Sequence, residues 1–195
     1  MKRREFLKLF GVGVAVISLS DMLPRIIRGK ELVRPPGALV EDALNAVCIR
    51  CARCVQICPT GAIVLASLSD GFKELGTPRI DALRGPCERV QGRCEGQAKC
   101  AEICPTGAIL QVDRRALKMG SAIINADRCI AWRGGSCLVC YEVCPVQGAI
   151  SLIDEARPIF HADICVGCGR CVYACPAQPK ALSLSPKGER RPSSA

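Results

Sequence analysis

The stretch Cys165-Val-Gly-Cys168-Gly-Arg-Cys171-Val-Tyr-Ala-Cys175-Pro176 decides the fold of this chain. Its cysteines follow the spacing C-x2-C-x2-C-x3-C-P, in which short loops bring successive thiols round one centre. The x3 gap starts a helical turn. The proline then turns the chain away, because it fixes φ and donates no N–H. The stretch therefore predicts a loop folded round a bound group, followed by a short helix.

The sixteen cysteines of the chain form four such groups, each closed by Cys-x3-Cys-Pro. In chain order, groups one to four are Cys48, Cys51, Cys54 and Cys58; Cys87, Cys94, Cys100 and Cys104; Cys129, Cys137, Cys140 and Cys144; and Cys165, Cys168, Cys171 and Cys175. Groups one and four have the spacing with which bacterial ferredoxins bind [4Fe–4S] clusters. Groups two and three differ in their earlier gaps. Sixteen thiols predict four [4Fe–4S] clusters, with every cysteine a ligand.

Three other uses of cysteine fit the spacing less well. Zinc sites usually pair C-x2-C knuckles that lie well apart in sequence. Disulfides across repeated x2 gaps would close strained small rings, although the cysteine count is even. Haem c attachment needs C-x-x-C-H, and the single histidine, His161, stands four residues before Cys165. We interpret His161 as a surface residue of a strand.

The composition also indicates a scaffold held together by its ligands. Hydrophobic residues make up 49% of the chain but aromatic residues only 4%, so the large side chains that usually dominate cores are scarce. The formal charge is +9. Four oxidised clusters with thiolate ligands would add about −8, because ligation deprotonates the thiols. The basic excess therefore balances cofactor, and we expect no nucleic-acid partner.

The first residues resemble an export signal. A basic start, with Arg3 and Arg4 followed by Glu-Phe-Leu-Lys8, precedes an apolar run from Leu9 to Leu19. The run is shorter than the roughly 20 residues of a membrane span, and the arginine pair resembles the twin-arginine signal. The pathway that reads this signal exports folded cargo, so we expect a periplasmic protein. The leader is either cleaved or retained as a membrane anchor.

Repeated segments predict an α+β fold. Pro59-Thr-Gly-Ala-Ile63, Pro105-Thr-Gly-Ala-Ile109 and Pro145-Val-Gln-Gly-Ala-Ile150 follow groups one to three. Alternating segments, Ala122–Asp127 and Pro158–Asp163, precede groups three and four and read as half-buried strands. The repeating unit is strand, cluster loop, short helix and strand, and two units make a ferredoxin-like module with two clusters.

The pairing of the groups stays open between two schemes. In such modules the fourth cysteine of a run binds the other cluster, so Cys58, Cys104, Cys144 and Cys175 should cross over. Chain order favours a tandem scheme, one with two and three with four. We slightly favour a nested scheme, two with three and one with four. It would explain why the irregular groups lie together and why no obvious strand precedes group one.

The predicted domain boundaries follow from these segments. We expect a twin-arginine signal or anchor over residues 1–28, a linker over 29–46, the four-cluster region over 47–184, and a disordered polar tail over 185–195.

The chain resembles the MauM/NapG family of ferredoxin-type proteins. The most specific shared features are the leader, the x7 gap in group three, and the segments Arg34-Pro-Pro-Gly-Ala38, Leu65-Ala-Ser-Leu68, Gly76-Thr-Pro78 and Pro86-Cys-Glu88. Group two is looser here than the family pattern, between Gln91 and Gln97. The resemblance implies that the chain works beside a membrane-bound ferredoxin-type partner. It also implies that the clusters pass electrons from the quinol side of the membrane to a periplasmic oxidoreductase.

The residues themselves favour an electron carrier over an enzyme. No phosphate loop, dinucleotide fingerprint or nucleophile elbow occurs, and four-cysteine clusters leave no open iron for a substrate. We interpret Trp132 as packing near a cluster. Two alternatives remain: an assembly factor for a periplasmic redox enzyme, and a reductase with its own substrate, which would need a cluster with fewer protein ligands.

Overall fold

The structure, a computed structural model, describes residues 30–194, so the predicted leader lies outside the described residues. Lys30 and residues 66–75 belong to one compact unit, and residues 31–65 and 76–194 to another. The helices are α1 Glu41–Val47, α2 Arg53–Ile57, α3 Lys99–Glu102, α4 Val139–Glu142 and α5 Arg170–Ala174; the strands are β1 Ile63–Leu65, β2 Pro78–Ile80, β3 Ser121–Ile124, β4 Ile150–Ile153, β5 Arg157–Phe160 and β6 Leu182–Ser185.

The second half of the chain pairs its strands as an outer ladder and an inner hairpin. β3, before group three, pairs antiparallel with β6, after group four. β4 and β5, which lie between these groups, form the hairpin. The predicted strands before groups three and four are therefore confirmed. Short helices α4 and α5 carry the third cysteines of their groups, Cys140 and Cys171, and pack against each other.

The first half follows the same plan with fewer hydrogen bonds. β1 and β2 form the inner pair between groups one and two. The outer ladder is reduced to one bridge, Ala38 with Ile109. A strand was expected from Ile109 as from Ile63, but only this bridge forms there. The bridge also supplies, at Ala38, the partner that the sequence seemed to lack before group one.

The segment predicted as a linker is part of the core. Residues 32–39 are all buried, and Arg34, with 1% of its surface exposed, is among the largest fully buried side chains. The guanidinium donates to both carboxylate oxygens of Glu41, at 2.9 and 2.7 Å, and to Thr77 Oγ1 at 2.9 Å. Because its charge and hydrogen bonds are satisfied internally, this segment packs instead of spanning solvent.

The C-terminal tail, predicted to be disordered, is held by hydrogen bonds as far as Pro192. The Val40 N–H donates to the Pro192 carbonyl at 3.0 Å. The Arg191 guanidinium donates to the Leu39 carbonyl at 2.9 Å and reaches Glu41 at 3.2 Å. Polar composition misled the prediction because these bonds are made to residues about 150 positions away. Within residues 30–194, the helices are all too short or too polar to cross a membrane.

Candidate metal centre

The cysteines of groups one and two gather in two sites. Site I contains Cys48, Cys51, Cys54 and, from group two, Cys104. Site II contains Cys58, from group one, with Cys87, Cys94 and Cys100. The two fourth cysteines therefore cross over as expected, but between groups one and two. The favoured nested pairing is wrong, because α2 packs on α3 and the β1–β2 hairpin joins these two groups.

Groups three and four are combined in the same way. Site IV contains Cys144, from group three, with Cys165, Cys168 and Cys171. Cys129, Cys137 and Cys140 form site III, and we assign Cys175 to it because Cys175 packs in the same core as Cys129 and Cys140 and is not among the residues that line site IV. Every cysteine that the sequence singled out, including those of the loose group two, therefore lies in one of four sites.

The sites fit a group larger than one metal ion. In each of sites I, II and IV, four cysteines line one common cavity. The same four-cysteine lining, built three times from different sequences, indicates the same kind of occupant. Within residues 30–194, no three His, Cys, Asp or Glu side chains approach closely enough to surround a single ion. The thiols stand round a space instead, as a polynuclear iron–sulfur cluster requires.

Burial makes the free thiols hard to ionise. Desolvation, with smaller effects from neighbouring thiols, raises the pKa of Cys54 and Cys140 to about 11 and that of Cys100 to about 12. Thiolates are nevertheless the ligands of iron. Cluster binding must therefore provide the free energy that removes these protons, which couples the fold to its metal.

Cys104 is the exception. Burial raises its pKa, but the N–H groups of Ile109, Thr106 and Ala108 and the Thr106 hydroxyl outweigh this and lower it overall. The Thr106 Oγ1 lies 3.8 Å from Cys104 Sγ. Thr60 occupies the same place after Cys58, at 3.6 Å, but its hydroxyl donates to the Pro86 carbonyl at 2.7 Å. The Thr60 hydroxyl proton therefore goes to a carbonyl, whereas the Thr106 hydroxyl is placed to donate to the Cys104 sulfur once that sulfur is a thiolate.

The loops of groups one and four share an unusual backbone. Gly167 and Gly169 have φ values of +74° and +78°, a region that glycine adopts at little cost. In group one the matching positions are Arg50 and Ala52, with φ of +56° and +59°. The same loop conformation therefore forms despite side chains, which indicates that the loop shape is imposed by what it surrounds.

The four sites follow one another in the order I, II, IV, III. Helix α2, which carries Cys54, packs on α3, which carries Cys100, so sites I and II are neighbours. Helix α4, which carries Cys140, packs on α5, which carries Cys171, so sites III and IV are neighbours. Between the halves, the Cys87 N–H donates to the Cys168 carbonyl at 2.8 Å. Sites II and IV therefore form the inner pair, and sites I and III the ends.

Sequence reasoning missed two buried basic residues beside these sites, Arg89 and Lys118, because isolated charges carry no motif. Trp132 packs against the core that holds Cys129 and Cys140, as predicted, and donates to the Pro158 carbonyl at 3.1 Å. His161 is half-buried just after β5, with its Nε2 2.8 Å from Ser151 Oγ.

Comparison with known proteins agrees with these sites. A family model described as a 4Fe-4S dicluster domain matches residues 47–108, and a 4Fe-4S binding domain matches residues 156–177. The ferredoxin-type protein NapG of Escherichia coli K12 is 36% identical over 212 residues, covering 96% of this chain and 88% of NapG. The chain belongs to the NapG/MauM family of ferredoxin-type proteins. The dicluster match contains all eight cysteines of sites I and II.

Two further relatives are also ferredoxin-type proteins. The methylamine utilization ferredoxin-type protein MauM of Paracoccus denitrificans is 38% identical over 165 residues, 80% of this chain and 71% of MauM. The ferredoxin-type protein NapF of Haemophilus influenzae is 31% identical over 147 residues, 74% of each chain. The resemblance noted from the motifs is confirmed. As a NapG/MauM member, the chain is an iron–sulfur protein with several [4Fe–4S] clusters.

Proposed function

We propose that this chain relays electrons from a membrane-bound, quinol-linked ferredoxin-type protein to a periplasmic oxidoreductase. The observation that carries this proposal is the order of the sites, I, II, IV and III, which joins two two-cluster modules into one series. When bound, each [4Fe–4S] cluster supplies one-electron transfer. Four cysteines at each site leave no open iron, so the proposal includes no substrate reaction.

The protein's own residues hold the series together and leave its ends accessible. The hydrogen bond from Cys87 to the Cys168 carbonyl fixes the junction of the modules. At site I, Cys51 and Ile49 are exposed, with 64% of Ile49 accessible to solvent. Tyr141, next to Cys140 of site III, is 46% exposed. Partners can therefore approach both end sites through these exposed side chains.

Export in the folded state follows from the same proposal. The buried thiols need their clusters in order to fold, so the clusters should be inserted before transport. Replacing Arg3 and Arg4 by lysines should leave the protein, with its iron, in the cytoplasm. Periplasmic accumulation of this variant would contradict the proposed route.

The function is tested on the full chain, purified without oxygen. We expect about sixteen irons per chain and rapid reduction by a quinol-linked ferredoxin-type donor, followed by rapid reoxidation by the terminal enzyme. Iron-loaded protein that turns over slowly or not at all would favour the alternative, an assembly factor for a periplasmic redox enzyme. Protein without iron would refute both the clusters and the relay.

A further inference from the structure

Of the three buried basic side chains among residues 30–194, two lie beside the inner sites and have no carboxylate partner within that part of the chain. Arg34, Arg89 and Lys118 are each at most 5% exposed. Arg34 is neutralised by Glu41. Within the described residues, neither Arg89 nor Lys118 forms an ion pair. Burying an unpaired charge is unfavourable, so these two positions need another source of stabilisation.

Arg89 belongs to site II. It lines the cavity there, and its backbone N–H donates to the sulfur of Cys87. The guanidinium donates only to backbone carbonyls, those of Glu95 and Val112, the latter at 2.8 Å. Its Nε is buried without a hydrogen-bond partner. The positive charge is therefore not compensated by its hydrogen bonds.

Lys118 lies beside site IV, at the backbone of Cys165. Its Nζ donates to the carbonyls of Ala162 and Cys165 and lies 3.4 Å from Ser121 Oγ. Three acceptors match the three donors of an ammonium group, although burial lowers the pKa of Lys118. The other charges that reach it, Asp163 and Arg190, have opposite signs. A cluster held by Cys165 would supply the remaining negative charge.

At the end sites, the cations found among the described residues are ones that water can screen. Arg50 and Arg53 in the site I loop are exposed. Lys180 donates to the carbonyl of Cys175, in site III, at 2.5 Å, but is half-buried. Arg170 also faces Cys168 of site IV, but it is half-buried and interacts with Glu88. Solvent weakens such interactions far more than those of buried charges.

We infer that Arg89 and Lys118 raise the reduction potentials of sites II and IV above those of sites I and III. This inference rests on the proposed function, since it requires clusters at these sites. A cluster becomes more negative when it takes up an electron, and a buried cation stabilises that state more than the oxidised one. The inner sites are adjacent, so the cations also offset the repulsion between two reduced neighbours.

The test is a redox titration of the full chain, followed by electron paramagnetic resonance. We expect Lys118→Met and Arg89→Met each to lower the reduction potential of one of the two highest-potential clusters. The expected shift is about 59 mV, which for one electron is a tenfold change in the reduction equilibrium. Lys180→Met is the matched control, because it also removes a cation at a cysteine carbonyl. It should change every couple less than twofold, and Lys118→Arg should retain the wild-type potentials.

The outcomes separate this inference from the proposed function. If Lys118→Met and Arg89→Met keep their iron and their potentials, the two cations only donate hydrogen bonds to backbone carbonyls. The inference then fails, while the proposed function is unaffected. If the methionine variants lose iron, Lys118→Gln and Arg89→Gln, which keep N–H donors without the charge, give the same comparison. Wild-type protein without clusters would instead refute the proposed function.

Discussion

At the scale of single residues, Glu41 neutralises a guanidinium that has no contact with water. The side chain of Arg34 is 0% exposed, and that of Glu41 is 37% exposed. Removing one partner of a buried pair costs about 3–5 kcal/mol. Because Glu41 is partly solvated, we expect Glu41→Gln to cost about 2 kcal/mol, or a fall of about 4–8 °C in Tm. Anaerobic thermal unfolding measures this.

The control is Glu95→Gln, whose ion pair with Arg114 is about half exposed on both sides and should contribute less than about 1 kcal/mol. Burial raises the pKa of Glu41, but Arg34 and Arg191 lower it overall, below 4.5. Its stabilisation is therefore present above pH 4.5 and is lost as the pH falls through the lowered pKa. The difference between wild type and Glu41→Gln should shrink over that range; a difference independent of pH would contradict the pairing.

Thr106 gives a second prediction at this scale. Its hydroxyl stabilises negative charge on Cys104, so Thr106→Val should lower the reduction potential of site I. We expect a several-fold change in the reduction equilibrium, which is a shift of less than about 59 mV. Thr60→Val is the control, because that hydroxyl is directed to the Pro86 carbonyl. A redox titration compares the two. Equal shifts would show that the hydroxyls do not differ in the way described.

At the scale of elements, the group four loop depends on glycine for space as well as for conformation. A Cβ at Gly167 would stand 2.8 Å from the backbone nitrogen of Gly120. Gly167→Ala should therefore displace the loop and reduce the iron content by up to one cluster per chain. Gly61→Ala is the control: its φ is also positive, at +68°, but nothing lies within 4 Å.

Iron analysis and thermal unfolding separate the loss of space at Gly167, which should remove a cluster, from backbone strain, which should lower only the stability. Gly61→Ala should cost about 1–2 kcal/mol of backbone strain with full iron. If Gly167→Ala also keeps all its iron, the close approach of the two backbones is not what supports the loop.

At the scale of the whole molecule, the pairing of groups can be tested by double variants. Cys58→Ser with Cys100→Ser removes two ligands of site II, so we expect the loss of one cluster. Cys54→Ser with Cys100→Ser removes ligands from sites I and II, so we expect the loss of two. Iron and sulfide per chain give the count. The nested pairing predicts two clusters lost in both cases.

Much of the local structure could be predicted from short patterns. The strands before groups three and four, the α+β class and the crossing of the fourth cysteines all follow from residues close in sequence. The role of residues 32–39 could not be predicted, because their burial depends on Ala38 meeting Ile109 and Arg34 meeting Thr77. The docking of Arg191 on Leu39 was hidden for the same reason.

The sequence by itself determined that thiols in sixteen places would gather round bound groups, because the Cys-x3-Cys-Pro segment that closes all four groups is local. Only the tertiary structure decided which groups share a site and in what order the sites follow. It also decided which charges stand beside them. Those properties depend on strand pairing and helix contacts between distant segments, and on burial, which removes the solvent that would screen Arg89 and Lys118.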